Sequence, residues 1–298
     1  MNFIFEEFKN APVKTIAAIL AIIVALVTIS FYNYGFVTST IIDRITLQDA
    51  RSLNIEGEDL YNKGFTEEAL TYFERAINLD PSYKLAWINK GQVLDSQEKY
   101  DEAIKCFEKA IEIDPNYVSA WSGKGQVLYD EGNYDEALKY LERAITLNHS
   151  TMIPWFYKGL ALYARGNNFD AIEALSEAIN LDPGYSKAWS AKGLALSDVG
   201  NQDEAIACFN KSIELNPRNA ITWYFKGQAL IYQGKYNESI LAYSNATDID
   251  PRLVDAWIGE SVAFQMLGES TASQEAYSKA LEQGYLPTAA GQKKELIL

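Results

Sequence analysis

Six tryptophans stand in this chain of 298 residues, at Trp87, Trp121, Trp155, Trp189, Trp223 and Trp257, each 34 residues from the next. A period of that length, held without an insertion, means one supersecondary unit copied end to end. Copies of this kind stack in a line and touch only their neighbours, so function is expected from a surface spread over several copies rather than from one enclosed pocket.

With each Trp as the fourth residue, seven units follow: residues 50–83, 84–117, 118–151, 152–185, 186–219, 220–253 and 254–287. The first has Leu53 in the tryptophan position but keeps Gly57, Leu60, Gly64, Ala69, Phe73, Ala76 and Pro81 in step. In the second unit Trp87, Gly91 and Leu94 recur at i, i+4 and i+7, the mark of one helix face. Ala103, Phe107 and Ala110 form a second stripe. A glycine at the fifteenth position in six of the seven units breaks the two stripes apart, which predicts a helix hairpin. Pro81, Pro115, Pro183, Pro217 and Pro251 stop the second helix, because proline has no amide hydrogen and clashes with the preceding turn. Glycine at position 8 and alanine at position 20 let the two backbones approach closely, with Trp and Phe filling the remaining space.

With Trp, Gly, Leu, Ala, Phe, Ala and Pro at these offsets, the chain resembles the tetratricopeptide repeat family. The resemblance spans residues 50–287 and implies an all-α fold: a right-handed superhelical α-solenoid of seven helix-turn-helix repeats. The departures are local. His149 and Tyr285 replace the terminal proline, Ser239 and Ser273 the small alanine, and Ser261 the glycine of the last copy. They are expected to loosen individual joints.

At about 100° per residue, positions 4, 8 and 11 of the first helix share one arc, and positions 2, 5, 9, 12 and 13 share another. The resemblance implies that the second arc lines a concave groove. Tyr61, Gln92, Gln126, Tyr129, Phe156, Tyr163, Tyr224, Gln228 and Tyr232 fall on it, an aromatic and amide-rich set suited to gripping an extended peptide or a helix. For any single ring the alternative is that it fills space between adjacent first helices. Asp130 and Asp198 add negative charge at position 13. The tryptophans, on the first arc, are expected inside the core. Lys90, Lys124, Lys158, Lys192 and Lys226 recur at position 7, nearly opposite the groove, and read as a solvated edge with stems draped over apolar surface. Some family members hold a partner's C-terminal carboxylate with groove cations. Here only Lys187 and Arg51 stand on the groove arc, four repeats apart, so that clamp is not expected.

One segment breaks the pattern. Residues 15–36, TIAAILAIIVALVTISFYNYGF, carry no charge over 22 residues, enough for a helix to span the roughly 30 Å of a bilayer's hydrocarbon. It predicts a single transmembrane helix or signal anchor, preceded by a short tail (1–14) and followed by a linker (37–49). The competing reading, a cleaved signal peptide, calls for a shorter apolar run and small residues at its end. The short N-terminal tail favours the cytoplasm for that end and places the repeats outside, where the sequons at Asn148, Asn210, Asn237 and Asn245 would be exposed to glycosylation. Residues 288–298 are a tail or a short cap.

A net charge of −14 argues against nucleic acid as a partner, since neutralising phosphates requires a basic face. With one histidine and two cysteines, Cys106 and Cys208 three repeats apart, neither a metal centre nor a histidine-based catalytic site is expected. The sequence therefore predicts a non-catalytic scaffold without cofactor or small-molecule substrate, held in a cell membrane by residues 15–36, whose groove docks a protein or peptide. The alternative is a structural or assembly subunit of a larger envelope complex.

Overall fold

A computed structural model describes residues 49–285, all of whose regular structure is helical. The predicted membrane segment and the C-terminal tail lie outside these residues. Among the described residues no helix is long and apolar enough to cross a membrane. Fourteen helices are described. In the first unit α1 (helical over 49–62) pairs with α2 (Thr66–Leu79); α3 (Lys84–Ser96) and α4 (Tyr100–Ile113) follow; then α5 (Val118–Asp130) pairs with α6 (Tyr134–Leu147), α7 (Met152–Ala164) with α8 (Asn168–Leu181), α9 (Ser186–Asp198) with α10 (Gln202–Leu215), α11 (Ala220–Tyr232) with α12 (Tyr236–Ile249), and α13 (Val254–Met266) with α14 (Ser270–Glu282). The chain divides into two compact units, one ending at Val93 and one beginning at Leu94.

The turn inside each hairpin has one geometry. Gly64, Gly132, Gly166, Gly200, Gly234 and Gly268 adopt φ between 71° and 87°, a left-handed conformation that costs a glycine little and other residues more. The amide after the glycine then bonds a carbonyl five residues back, as in Asn133 to Leu128 at 2.7 Å and Asn201 to Leu196 at 2.9 Å, closing the helix end. In the second unit of the sequence Glu98 takes this place and is forced to φ 59°.

The turns between hairpins rest on a feature the proline pattern did not reveal. Asp80, Asp114, Asn148, Asp182 and Asp250 each accept, through Oδ1, the amide two residues on, an Asx turn that reverses the chain. The tryptophans lock this turn. Each indole Nε1 donates to the carbonyl six residues back, from Pro81 to Pro251, at 2.9–3.0 Å. This corrects the expectation of interior tryptophans: the rings are half-buried, because the hydrogen bond holds them at the mouth of the turn. His149 keeps the same geometry in place of proline, its carbonyl accepting from Trp155 at 3.0 Å.

Inside each hairpin the small position 8 does what its size requires. A methyl on Gly57 would lie 2.6 Å from the Phe73 ring; on Gly193, 2.6 Å from Phe209; on Gly227, 2.6 Å from Tyr243; on Gly125, 2.6 Å from Leu141. Where the last copy has Ser261, its hydroxyl bonds the Ser273 carbonyl at 2.9 Å and faces the Ser273 hydroxyl at 3.1 Å. That departure is therefore satisfied rather than loose. The core also includes positions the first-arc count left out: Ala86, Ala120, Ala188 and Ala256 at position 3, and Val93, Val127, Ala161, Ala195, Ala229 and Ala263 at position 10, all fully buried.

Within the unit beginning at Leu94, second helices pack on the next first helix: α4 on α5, α6 on α7, α8 on α9, α10 on α11, α12 on α13. First helices also meet one another, α5 with α7, α7 with α9, α9 with α11 and α11 with α13; the described second helices show no comparable contact among themselves. First helices therefore crowd the shorter, inner side of a curved stack, and second helices lie on the longer, outer side. In the last hairpin Gln274 occupies position 21, where every earlier copy has Leu or Ile, and it is exposed.

The position-7 lysines are a correction. Three of the five sit against the preceding second helix instead of forming a solvated edge. Lys90 pairs with Glu74 at 2.8 Å, Lys124 with Glu108 at 2.6 Å and Lys158 with Glu142 at 3.2 Å. The draped stems are real: Lys124 lies over Tyr140, Lys158 over Trp155 and Lys226 over Trp223, and Lys124 is buried. Cys106 and Cys208 are free and buried.

Candidate partner-binding groove

The inner side of the second unit presents positions 12 and 13 of successive first helices, and position 9 at Gln126, Gln228 and Val262; at α7 and α9 position 9 holds the buried Leu160 and Leu194. Of the predicted groove residues in this unit, Gln126, Tyr129, Tyr163 and Gln228 are half-buried along it and Tyr232 is 75% exposed. Tyr61 is half-buried and Gln92 exposed in the first unit.

Phe156 and Tyr224 do not belong to the open face. They are only 4% and 8% exposed, because position 5 points between adjacent helices. Phe156 packs edge-on against Tyr157 and Tyr185, with ring centres 5.3 and 5.0 Å apart. Tyr224 lies against Phe225 and Tyr243, with its hydroxyl accepting from Gln228 Nε2 at 2.6 Å.

Polar bridges tie neighbouring first helices at the groove surface. Tyr163 Oη, at position 12 of α7, donates to Asp198 Oδ2, at position 13 of α9, at 2.9 Å. The same two positions two joints earlier hold Asp95 and Asp130, and Gln126 Nε2 donates to Asp95 Oδ2 at 3.0 Å. Burial first, and then the charge of Asp130, push Asp95 up to about 7, the Gln126 hydrogen bond opposing them. Asp130 is also raised, chiefly by desolvation, with Gln126 and Asp95 pulling the other way. Two carboxyls facing each other cannot both ionise freely, so this pair exchanges a proton near neutral pH. Burial raises Tyr129 to about 12 and Tyr163 beyond that, so both hydroxyls stay protonated, that of Tyr163 as the donor to Asp198.

Asp95, Tyr157, Val262 and Met266 were not among the predicted site residues. Tyr157 packs edge-on against Tyr129, ring centres 5.7 Å apart. Val262 and Met266 are 42% and 56% exposed. Asp95, Val262 and Met266 stand at positions 12, 9 and 13, so the helical count that found the tyrosines carries them too. On the far side of the stack a cleft of about 570 Å³, lined by Glu142, His149, Trp155, Lys158, Glu173 and Glu177, is already occupied in part by the Lys158–Glu142 pair.

Stacked helical hairpins with first helices lining one side define a class of interaction-surface repeat protein. Tetratricopeptide repeat sequence profiles match residues 51–83, 85–117, 122–186 and 186–219, and a TPR repeat profile matches 227–268. The chain belongs to the tetratricopeptide repeat family. An uncharacterized protein of Methanocaldococcus jannaschii is 44% identical over 46 residues, 15% of this chain and 54% of that one; the match thus spans about half the length of that relative. Among solved structures, YrrB, described as a TPR protein with an unusual peptide-binding site, is 25% identical with a TM-score of 0.50, covering 62% of this chain and 95% of its own. A tetratricopeptide repeat protein from Parabacteroides merdae is 17% identical with a TM-score of 0.59, covering 80% and 94%, a likeness of fold.

Proposed function

We propose that the protein is a non-catalytic scaffold whose inner groove docks another protein or peptide, and that residues 15–36 tether it to a membrane. The observation that carries the docking reading is the set of partly or fully exposed polar and aromatic side chains on α5, α7 and α11. Gln126, Tyr163 and Tyr232 offer amide, hydroxyl and ring surface along one line, and a tyrosine combines apolar area with a hydrogen-bonding tip. The peptide-binding site described for YrrB supports the same use of a related fold. The tether rests on the uncharged 22-residue run. It would raise the effective concentration of the bound partner beside other membrane components.

In-cell crosslinking of the full-length protein followed by mass spectrometry tests this reading. Gln126→Ala, Tyr163→Ala and Tyr232→Ala together should remove the crosslinked partner while the helical circular dichroism stays unchanged. Retention of every partner by that variant refutes groove docking. A partner that stays at fixed stoichiometry through high salt would instead identify a permanent subunit.

A further inference from the structure

The groove of the second unit changes chemistry along its length. Toward one end stand the Asp95–Asp130 pair and, two hairpins on, Asp198. Toward the other stand Tyr232, Val262 and Met266, all substantially exposed. These residues share positions 9, 12 and 13 of their helices, so they face the same way. Against Asp95, Asp130, Asp198 and Asp255, Lys187 is the single cation at the groove positions of this unit.

At the acidic end the Gln126 amide donates to Asp95 Oδ2. Asp95 Oδ1 is shielded from solvent without a hydrogen-bond partner. Buried polar atoms are nearly always paired, and the group facing Asp95 is a second carboxyl, Asp130, with which it shares a proton, so a cation arriving there would take that proton's place.

Resting on the groove reading above, we propose that the occupant is an extended peptide with an arginine or lysine at the Asp95–Asp130–Gln126 end and apolar side chains at the Tyr232–Val262–Met266 end. From α5 to α11 there are three first-helix spacings of about 8–10 Å, so the two ends lie about 25–30 Å apart. That corresponds to about eight or nine residues of extended chain at roughly 3.3 Å each. A guanidinium fork suits two facing carboxyls, and the Tyr129 ring beside them offers a cation a π face. The arriving cation competes with the proton that Asp95 holds. Binding therefore strengthens as pH rises through neutrality, and a proton is released. The titratable groups around Asp95 are Asp130, Glu98, Glu131, Tyr100, Tyr129 and Tyr157.

The probe is a fluorescein-labelled peptide of one arginine, an eight-residue Gly/Ser spacer and two leucines, made in both chain directions and titrated onto the full-length protein in lipid nanodiscs. With the tighter direction as reference, citrulline for arginine, serine for the leucines, or a three-residue spacer should each weaken binding about tenfold, and so should lowering the pH from 8 to 6. Asp95→Asn with Asp130→Asn should erase the arginine–citrulline difference and keep the leucine dependence; Tyr232→Ser with Met266→Ser should do the reverse. Equal binding of all probes, or an arginine preference that survives the Asp95 and Asp130 changes, overturns the proposal. If the groove triple variant loses its cellular partner while the Asp95→Asn/Asp130→Asn protein keeps it, docking stands and the basic end falls. If both variants keep it, both readings fall.

Discussion

The interior of a hairpin and the joint between hairpins obey different rules. Inside, a position without a side chain meets a ring or a leucine at a distance that leaves no room for a methyl, in copy after copy: Gly57 with Phe73, Gly125 with Leu141, Gly193 with Phe209, Gly227 with Tyr243. Between hairpins the same pair of positions holds Lys124 with Glu108 in one joint and Glu260 with Ser244, 2.6 Å apart, in another. Near the fifth and sixth copies the joint carries a buried hydroxyl cluster, Thr222 donating to Ser190 at 3.1 Å and Ser212 to the Ser186 carbonyl at 2.9 Å. The interior demands a shape, whereas the joint accepts any chemistry that satisfies its polar atoms. That tolerance leaves the joints free to differ where they reach the groove.

The comparison is broken most severely from inside. Phe209→Ala removes a fully buried ring and should cost about 3–5 kcal/mol, read from the denaturant midpoint. Asp95→Asn probes a joint that opposes stability. Its folded pKa of about 7 lies above the ordinary aspartate value of 3.8, so its contribution is fully present below pH 3.8 and lost as pH rises to 7. The variant should match the parent at pH 3.5 and be more stable on the order of 2 kcal/mol at pH 8; thermal melts at the two pH values decide it. Glu108→Gln leaves buried Lys124 without its counter-charge, but Glu108 is 47% exposed on its side chain and solvent screens the pair. The loss should be about 1 kcal/mol and should shrink in high salt. Glu98→Gly relieves the non-glycine residue in the left-handed turn and should stabilise by about 1 kcal/mol, measured by the same melts.

The repeat period, the hairpin, the glycine turn and the close approach at position 8 were all legible in the sequence, because each is a local demand on residue size or backbone angle. The joints were less so. Counting angles around one helix assumes a single buried side, but a first helix is covered by its own second helix, the preceding second helix and the neighbouring first helices. Position 7 is therefore sheltered enough to bury Lys124, and position 5 enough to take Phe156 and Tyr224 from the groove. Asp95 was missed for another reason. A carboxyl becomes informative only when the helix beside it is known to present a second one.

The indole hydrogen bonds set one optical reporter in each of six hairpins, each fixed to the turn that precedes its own helix. A protein with five of these tryptophans changed to phenylalanine would report through emission on the one turn that keeps its indole. Comparing six such proteins would show the order in which the stack comes apart, and whether it frays from its ends or parts in the middle.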